Sequence, residues 1–321
     1  MKILIAGLGS IGRRHLKNLL ALGEQDILLY RTGRSSLPDD ELRDFPAETD
    51  LATALDRRPE AVIVANPTAL HLQVAIPAAE RGCHLLLEKP ISHSMEGVDR
   101  LEDAVRRGGG QVVVGFQFRF HPGLQKVKEL LAPSPNSYPL TPNPLGRPLS
   151  FRAHWGEYLP GWHPWEDYRQ GYSARSDLGG GVILTLSHPL DYLRWLFGEV
   201  KALWAFAGNL GDLRLDVEDT AEIGLQYQSG VLGSVHLDYN QRPSAHTLEI
   251  VGTQGVLRWD NADMPPGFER NDLFLREMRH FLAVARGEQA PLCSLHDGIQ
   301  ALRLALAASD SAKKGEMAVL E

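Results

Sequence analysis

Ile3-Leu4-Ile5-Ala6-Gly7-Leu8-Gly9-Ser10-Ile11-Gly12 is the stretch that decides the fold. Four apolar residues in a row read as a strand buried on both faces, as in a parallel sheet. Arg13 to Leu22 follows with Leu16, Leu19 and Leu20 at helical spacing, and Gly23 ends it. Strand, glycine turn and helix together are the context that a dinucleotide fingerprint requires. Gly7 permits the tight turn, Gly9 lets the backbone approach a pyrophosphate, and Gly12 lets helix and strand pack closely. Ser10 and Ile11 complete the turn, where the helix N-terminus offers free N–H groups to phosphates.

The alternation continues. Ile27 to Tyr30, Ala61 to Ala65, His84 to Glu88 and Gln111 to Gly115 read as further buried strands. Helices over Asp50 to Arg57, Thr68 to Gly82 and Ser94 to Arg107 separate them, with Thr68 as an N-cap. Strand–helix alternation specifies a doubly wound parallel sheet, whose ligands bind at the carboxyl ends of the strands. Several polar residues fall at that edge. Asn66, Pro67 and Thr68 follow the third strand, with His71 in the next helical turn. Glu88 and Lys89 end the fourth strand, stopped by Pro90. The fifth strand runs on through Phe116 to His121, which brings Arg119 to the same edge. A lysine placed there with apolar chain behind it is a candidate for proton transfer.

Cofactor choice is read after the second strand. An NAD site expects an acid about 20 residues past the fingerprint, to bind the ribose 2′-hydroxyl. This chain has Tyr30, then Arg31 and Arg34. Cations suit a 2′-phosphate, so NADP is expected over NAD.

Length and composition set the bounds. A chain of 321 residues suits two domains, divided here as 1–121 and 122–321. The net charge of -7 argues against nucleic acid and anionic membranes as partners. No apolar run is long enough to span a bilayer. Two cysteines, Cys83 and Cys293, cannot build a disulfide framework, so a cytoplasmic location is expected. No metal-ligand spacing stands out among the twelve histidines.

Residues 132–148 are proline-dense and without period, as expected of an exposed insertion. A strand over Leu149 to Gly156 opens the second domain. It is followed by an aromatic-rich stretch holding Tyr158, Trp165 and Arg175, the rings and cation that suit a sugar. In Gly179 to Gly198, Thr185, His188 and Asp191 are spaced by three, and Pro189 kinks the helix or starts a new one. A run of five alternating strands from Val200 to Trp259 then predicts an open, mainly antiparallel sheet with helices beyond it. An open face of that size favours a homodimer or homotetramer.

Gly7-Leu-Gly-Ser-Ile-Gly12-Arg-Arg-His15, Ala61 to His71, and Glu88-Lys89-Pro90 resemble the Gfo/Idh/MocA oxidoreductases. The resemblance implies an N-terminal Rossmann domain and a C-terminal α+β domain. It also implies hydride transfer between nicotinamide and a hydroxyl or carbonyl carbon of a sugar-like substrate. Lys89 matches the lysine beside nicotinamide and substrate, and His188 matches the histidine that contacts substrate and relays a proton. Many relatives carry Asp or Glu three or four residues before that histidine, where this chain has Thr185 and Leu184. The aromatic stretch resembles members that serve cell-surface sugar synthesis. A redox-neutral glycosidase and a non-catalytic sugar sensor are the alternative functions within the same resemblance.

Overall fold

Strand β1 (Ile3–Ala6) is wholly buried and sits at the middle of a six-stranded parallel sheet. The computed structural model describes residues 1–33, 40–132, 144–164 and 166–320. The sheet contains β2 (Ile27–Tyr30), β3 (Ala47–Glu48), β4 (Ala61–Val64), β5 (His84–Leu87) and β6 (Val112–Val114). Its order is β3-β2-β1-β4-β5-β6, so the chain reverses its direction of winding at β1. That reversal is where a doubly wound sheet opens a crevice for a ligand.

The helices of this sheet are α1 (Ser10–Ala21), α2 (Leu51–Asp56), α3 (His71–Glu80) and α4 (Val98–Gly108). Asp50 caps α2, its side chain accepting from the Thr53 N–H at 2.8 Å. Thr68 does not cap α3. A short 3₁₀ turn over Thr68–Leu70 precedes that helix, and the Leu70 N–H is satisfied by the Pro67 carbonyl at 2.8 Å. The α4 helix starts at Val98 rather than near Ser94, because Gly97 turns the chain with a φ of 79°. Nor does the last strand continue to His121. The Phe116 N–H folds back on the Val114 carbonyl at 2.7 Å, which ends the ladder, and Gln117–Phe120 form a 3₁₀ turn.

A second sheet has seven strands in the order β12-β11-β7-β10-β9-β8-β13. These are β7 (Pro148–Tyr158), β8 (Val200–Gly208), β9 (Thr220–Tyr227), β10 (Leu232–Asp238), β11 (Asn240–Gly252), β12 (Val256–Asp260) and β13 (Ala318–Val319). All neighbours are antiparallel except β7 and β10, which run parallel. The helices α5 (Pro122–Leu131), α6 (Val182–Thr185) and α7 (His188–Phe197) precede most of these strands in the chain, while α8 (Arg270–Ala285) and α9 (Leu295–Lys314) lie between β12 and β13. Trp204 and Phe206 are 43% and 69% exposed on β8, with Val319 67% exposed on β13 beside it.

The chain divides into two compact units that are not simple halves. The first unit comprises Met1–Gln117, Asp177–Gly179 and Arg270–Leu302, and the second comprises Phe118–Ser176, Gly180–Glu269 and Arg303–Glu321. Helix α8 therefore belongs with the parallel sheet. Its Met278, Phe281, Leu282 and Val284 join Ile3, Ile5, Leu16 and Leu19 in one buried core. Polar contacts fix the packing of α8 on α1: Asn271 donates to Asn18 at 2.9 Å and Arg286 to Glu24 at 2.5 Å. Gly298 of α9 lies so close to Ile91 and Val114 that a Cβ would come within 2.8 Å of both.

The glycines of the β1–α1 turn divide by what surrounds them. A Cβ at Gly12 would meet the Gly7 carbonyl oxygen at 1.9 Å, and one at Gly7, whose φ is +93°, would meet the Asn66 nitrogen at 2.4 Å. A Cβ at Gly9 would meet nothing within 4 Å. Gly12→Ala is therefore expected to cost roughly 1–3 kcal/mol in a urea melt, the usual penalty for overpacking. Gly9→Ala should leave the same melt unchanged.

Candidate functional site

In the first unit the fingerprint residues lie at the carboxyl edge of β1. Helix α1 begins with Gly9 at its cap position, no side-chain cap and no acid in its first turn. Its leading N–H groups and positive dipole end are thus available to an anion. Ser10 is exposed and Ile11 half-buried in that turn. Arg13 points away from it, with Nε donating to the Leu8 carbonyl at 2.9 Å and the guanidinium paired with Glu41 at 2.8 Å. The open space at Gly9 beside this helix start is the shape a pyrophosphate needs, so a dinucleotide fits the residues present.

The β4 and β5 ends are tied together by His71. Its Nδ1 lies 2.9 Å from the Pro90 carbonyl and its Nε2 2.8 Å from the Asn66 carbonyl. Burial lowers its pKa, against the pull of those carbonyls and of Glu88. His71 is therefore a brace between two loops, leaving Asn66, Pro67 and Thr68 in fixed positions. Thr68 is itself buried, and a Cβ at Gly179 would strike it and His93.

Glu88 follows β5 with its side chain turned inward. Its Oε1 lies 2.7 Å from Nε2 of His15, and its Oε2 accepts weakly from the Lys89 N–H at 3.3 Å. Burial pushes its pKa up, but the His15 bond and the charges of His15 and Lys89 outweigh burial and hold it below its ordinary value. Gly115 on the neighbouring loop makes room for it, since a Cβ there would stand 3.0 Å from Oε2. Lys89 comes next in the chain, half-buried at the strand edge. Glu277 of α8 completes the group. It is fully buried, and one of its carboxyl oxygens, one of Glu88 and a ring nitrogen of His15 all lie within 4.8 Å of one another.

In the second unit, α6 ends at Thr185 and a new helix begins at His188, with Pro189 in its first turn. Thr185 and His188 are thus on separate helices, and only His188 and Asp191 share one. Asp191 is bonded to Arg119 in bidentate fashion, Nε to Oδ2 at 2.9 Å and a terminal nitrogen to Oδ1 at 2.7 Å, both side chains 2% exposed. Arg119 also lies over the Trp195 ring at 5.8 Å. His188 is packed among aromatic rings, 4.9 Å from Phe118 and 5.4 Å from Trp155. His246 stacks on Trp155 at 4.4 Å, and burial keeps that imidazole neutral. Glu218 accepts from the Ile183 N–H at 3.2 Å and so caps α6. Tyr158 stacks under Arg242 at 4.0 Å, and Arg175 is exposed on a separate turn. Arg34 and Trp165 lie outside the described residues.

Four contributors carry no role in the sequence reading: His15, Glu277, and the Phe118 and Trp155 rings around His188. Glu277 has a local signal. It occupies the apolar stripe of α8 defined by Leu273, Phe274, Met278, Phe281 and Leu282, where an acid is out of place.

Residues 1–116 match the family described as oxidoreductase family, NAD-binding Rossmann fold, and residues 140–258 match the GFO/IDH/MocA C-terminal domain. A myo-inositol 2-dehydrogenase of Thermotoga maritima is 27% identical, over 100% of this chain and 99% of its own. Among solved structures, the WlbA dehydrogenase of Bordetella pertussis, in complex with NADH and UDP-GlcNAcA, superposes with a TM-score of 0.82 at 21% identity, covering 100% and 98%. The scyllo-inositol dehydrogenase of Lactobacillus casei, with NAD(H) and scyllo-inositol bound, gives 0.80 at 21%, covering 99% and 98%.

A buried ion pair stripped of one partner leaves an uncompensated charge, which costs about 3–5 kcal/mol. Asp191→Asn should therefore lower the unfolding free energy by about 3 kcal/mol in a denaturant titration. An Asp191 that served only a ligand would leave stability unchanged.

Proposed function

Because the chain belongs to the Gfo/Idh/MocA oxidoreductases, we propose that it transfers a hydride between nicotinamide C4 and a hydroxyl-bearing carbon of a cyclic polyol or sugar. The observation that carries this reading is Lys89, held at the carboxyl edge of the parallel sheet directly after the buried Glu88. The named relatives support the substrate class. One is a myo-inositol 2-dehydrogenase, another holds scyllo-inositol and a third is in complex with UDP-GlcNAcA.

The nicotinamide accepts or supplies the hydride when bound. The chain's own residues do the rest. Gly7, Gly9, Ser10, Ile11 and Gly12 carry the pyrophosphate at the start of α1. Lys89 takes the hydroxyl proton as the carbon is oxidised, or returns it in the reverse direction, and His188 assists that proton. The aromatic packing of His188 fixes its ring plane, and its place in the first turn of α7 fixes its height. Arg119 and Asp191 act on substrate through shape, since each holds the other's charge.

The adenosine end distinguishes the two nicotinamide cofactors. Strand β2 ends on Tyr30, followed by Arg31, where a carboxylate would repel a 2′-phosphate. NADP(H) is therefore expected to bind at least roughly tenfold more tightly than NAD(H), the worth of one hydrogen bond to a charged group. Quenching of tryptophan fluorescence by each cofactor measures this, and equal or tighter NAD(H) binding would overturn it.

Lys89→Met keeps most of the apolar stem and removes the ammonium. Turnover of myo-inositol or scyllo-inositol, followed by reduced-nicotinamide absorbance, should fall by about 10²–10⁴ with cofactor affinity nearly unchanged. Undiminished turnover would remove Lys89 from the proton path.

A further inference from the structure

The side chains of His15, Glu88 and Glu277 come from three distant parts of the chain and meet in the interior of the first unit. Glu277 and His15 are 0% exposed. Both carboxyl oxygens of Glu277 and Nδ1 of His15 are buried with no hydrogen-bond partner among the described residues. An acid on the apolar face of a helix, sealed from water and aimed at a carboxylate that already has a partner, is costly to fold unless it has a use.

A shared metal ion does not fit the geometry. Ligand atoms at about 2.0–2.2 Å from a tetrahedral zinc would stand roughly 3.4 Å from each other. His15 Nε2 and Glu88 Oε1 are 2.7 Å apart, which is the length of a charge-assisted hydrogen bond. The group is therefore a hydrogen-bonded one, and the question is where its proton sits.

Charges approach Glu277 from every side. Helix α1 contributes His15, with Arg14 farther off over the Phe274 ring at 4.5 Å. The end of β5 contributes Glu88 and Lys89, and His71 on α3 stands behind Glu88. Arg270, on the same helix as Glu277, faces Arg14. Of these, Glu88 disfavours a charge on Glu277 and Lys89 favours one, with burial the larger effect, so Glu277 is protonated well above the ordinary carboxylate range.

We propose that Glu277 is a positioning residue for the Lys89 proton step, a buried carboxyl whose ionisation is tied to that of Lys89 through the Glu88–His15 pair. This rests on the reading of Lys89 as the proton-handling group. While Glu277 keeps its proton, Glu88 alone of this carboxyl pair carries a negative charge. When Glu277 gives its proton up, two carboxylates stand behind Lys89 and hold it as an ammonium. The enzyme thereby sets the pH range in which Lys89 can be neutral and ready to accept a proton from a hydroxyl.

The test needs no substrate. Competitive acetylation of the full chain with acetic anhydride, read peptide by peptide in a mass spectrometer, reports the titration of Lys89 directly. In Glu277→Gln, which mimics the protonated acid, the midpoint for Lys89 should move to lower pH by about half a unit, giving about threefold more label at pH values well below the midpoint. Glu277→Met should move it the same way and keeps the test open if the amide misfolds. A second readout is stability against pH. A folded-state pKa raised above the unfolded value stabilises the fold only at low pH, and the contribution is lost as pH rises toward the folded value. Wild type should therefore lose stability relative to Glu277→Gln from the ordinary carboxylate range upward. Coincident Lys89 titrations in wild type and both variants would overturn the proposal, as would parallel stability curves. Failure of the Lys89→Met turnover test would instead remove the role of Lys89 and leave the labelling result standing.

Discussion

At Gly12 the backbone of α1 lies against the Gly7 carbonyl with no space for a side chain, and the rest of the first unit is positioned by that approach. It fixes where the helix starts, and so where its free N–H groups face. It also fixes what comes one turn later. Arg13 reaches back to the Leu8 carbonyl, His15 reaches Glu88 across the sheet edge, and Leu16 and Leu19 enter the core. A helix standing farther from β1 would lose the His15–Glu88 bond, and Glu88 would then be a buried charge without its main partner. Steric contact between two glycines thus underlies the electrostatics of a lysine some eighty residues away in sequence.

Those parts of the fold that rest on local constraints were legible in the sequence. The glycine pattern of the β1–α1 turn is dictated by sterics within a few residues, and so is the end of β5 at Pro90. Pro189 announced a kink or a fresh helix start, and the structure has the second, with a helix beginning at His188. Errors fell where the backbone satisfied itself in an unexpected way. Pro67 supplies by its carbonyl the bond assigned to the Thr68 side chain, and Phe116 folds back on Val114 where the strand was expected to continue. The candidate site divides in the same manner. Glu88 and Lys89 are marked by their place at the end of β5 together with the family resemblance, and His188 is marked by the resemblance of its segment alone. Glu277 meets His15 only through tertiary packing, and no spacing connects positions 15 and 277. The mutual engagement of Arg119 and Asp191 is likewise invisible until both are placed.

The two units handle buried charge differently. In the second, Arg119 and Asp191 pair through two bonds with almost no exposure. In the first, two carboxyls, an imidazole and an ammonium lie close together with unequal partners, so protons rather than fixed charges balance the group. Rigid pairing suits a frame. Unequal pairing suits a place where a proton must move.

Helix α8, encoded more than a hundred and fifty residues after β6, fills the core beneath α1. During synthesis the first 117 residues leave the ribosome without it. Until Met278 and Phe281 emerge, the surface of α1 and β1 that they cover stays open to water and to other chains. The nascent dinucleotide fold is therefore incomplete while strands β7 to β12 of the second sheet are being made. Its last step is a return of distant chain rather than a local collapse, which makes that interval the one in which a chaperone, or a neighbouring nascent chain, would find apolar surface to hold.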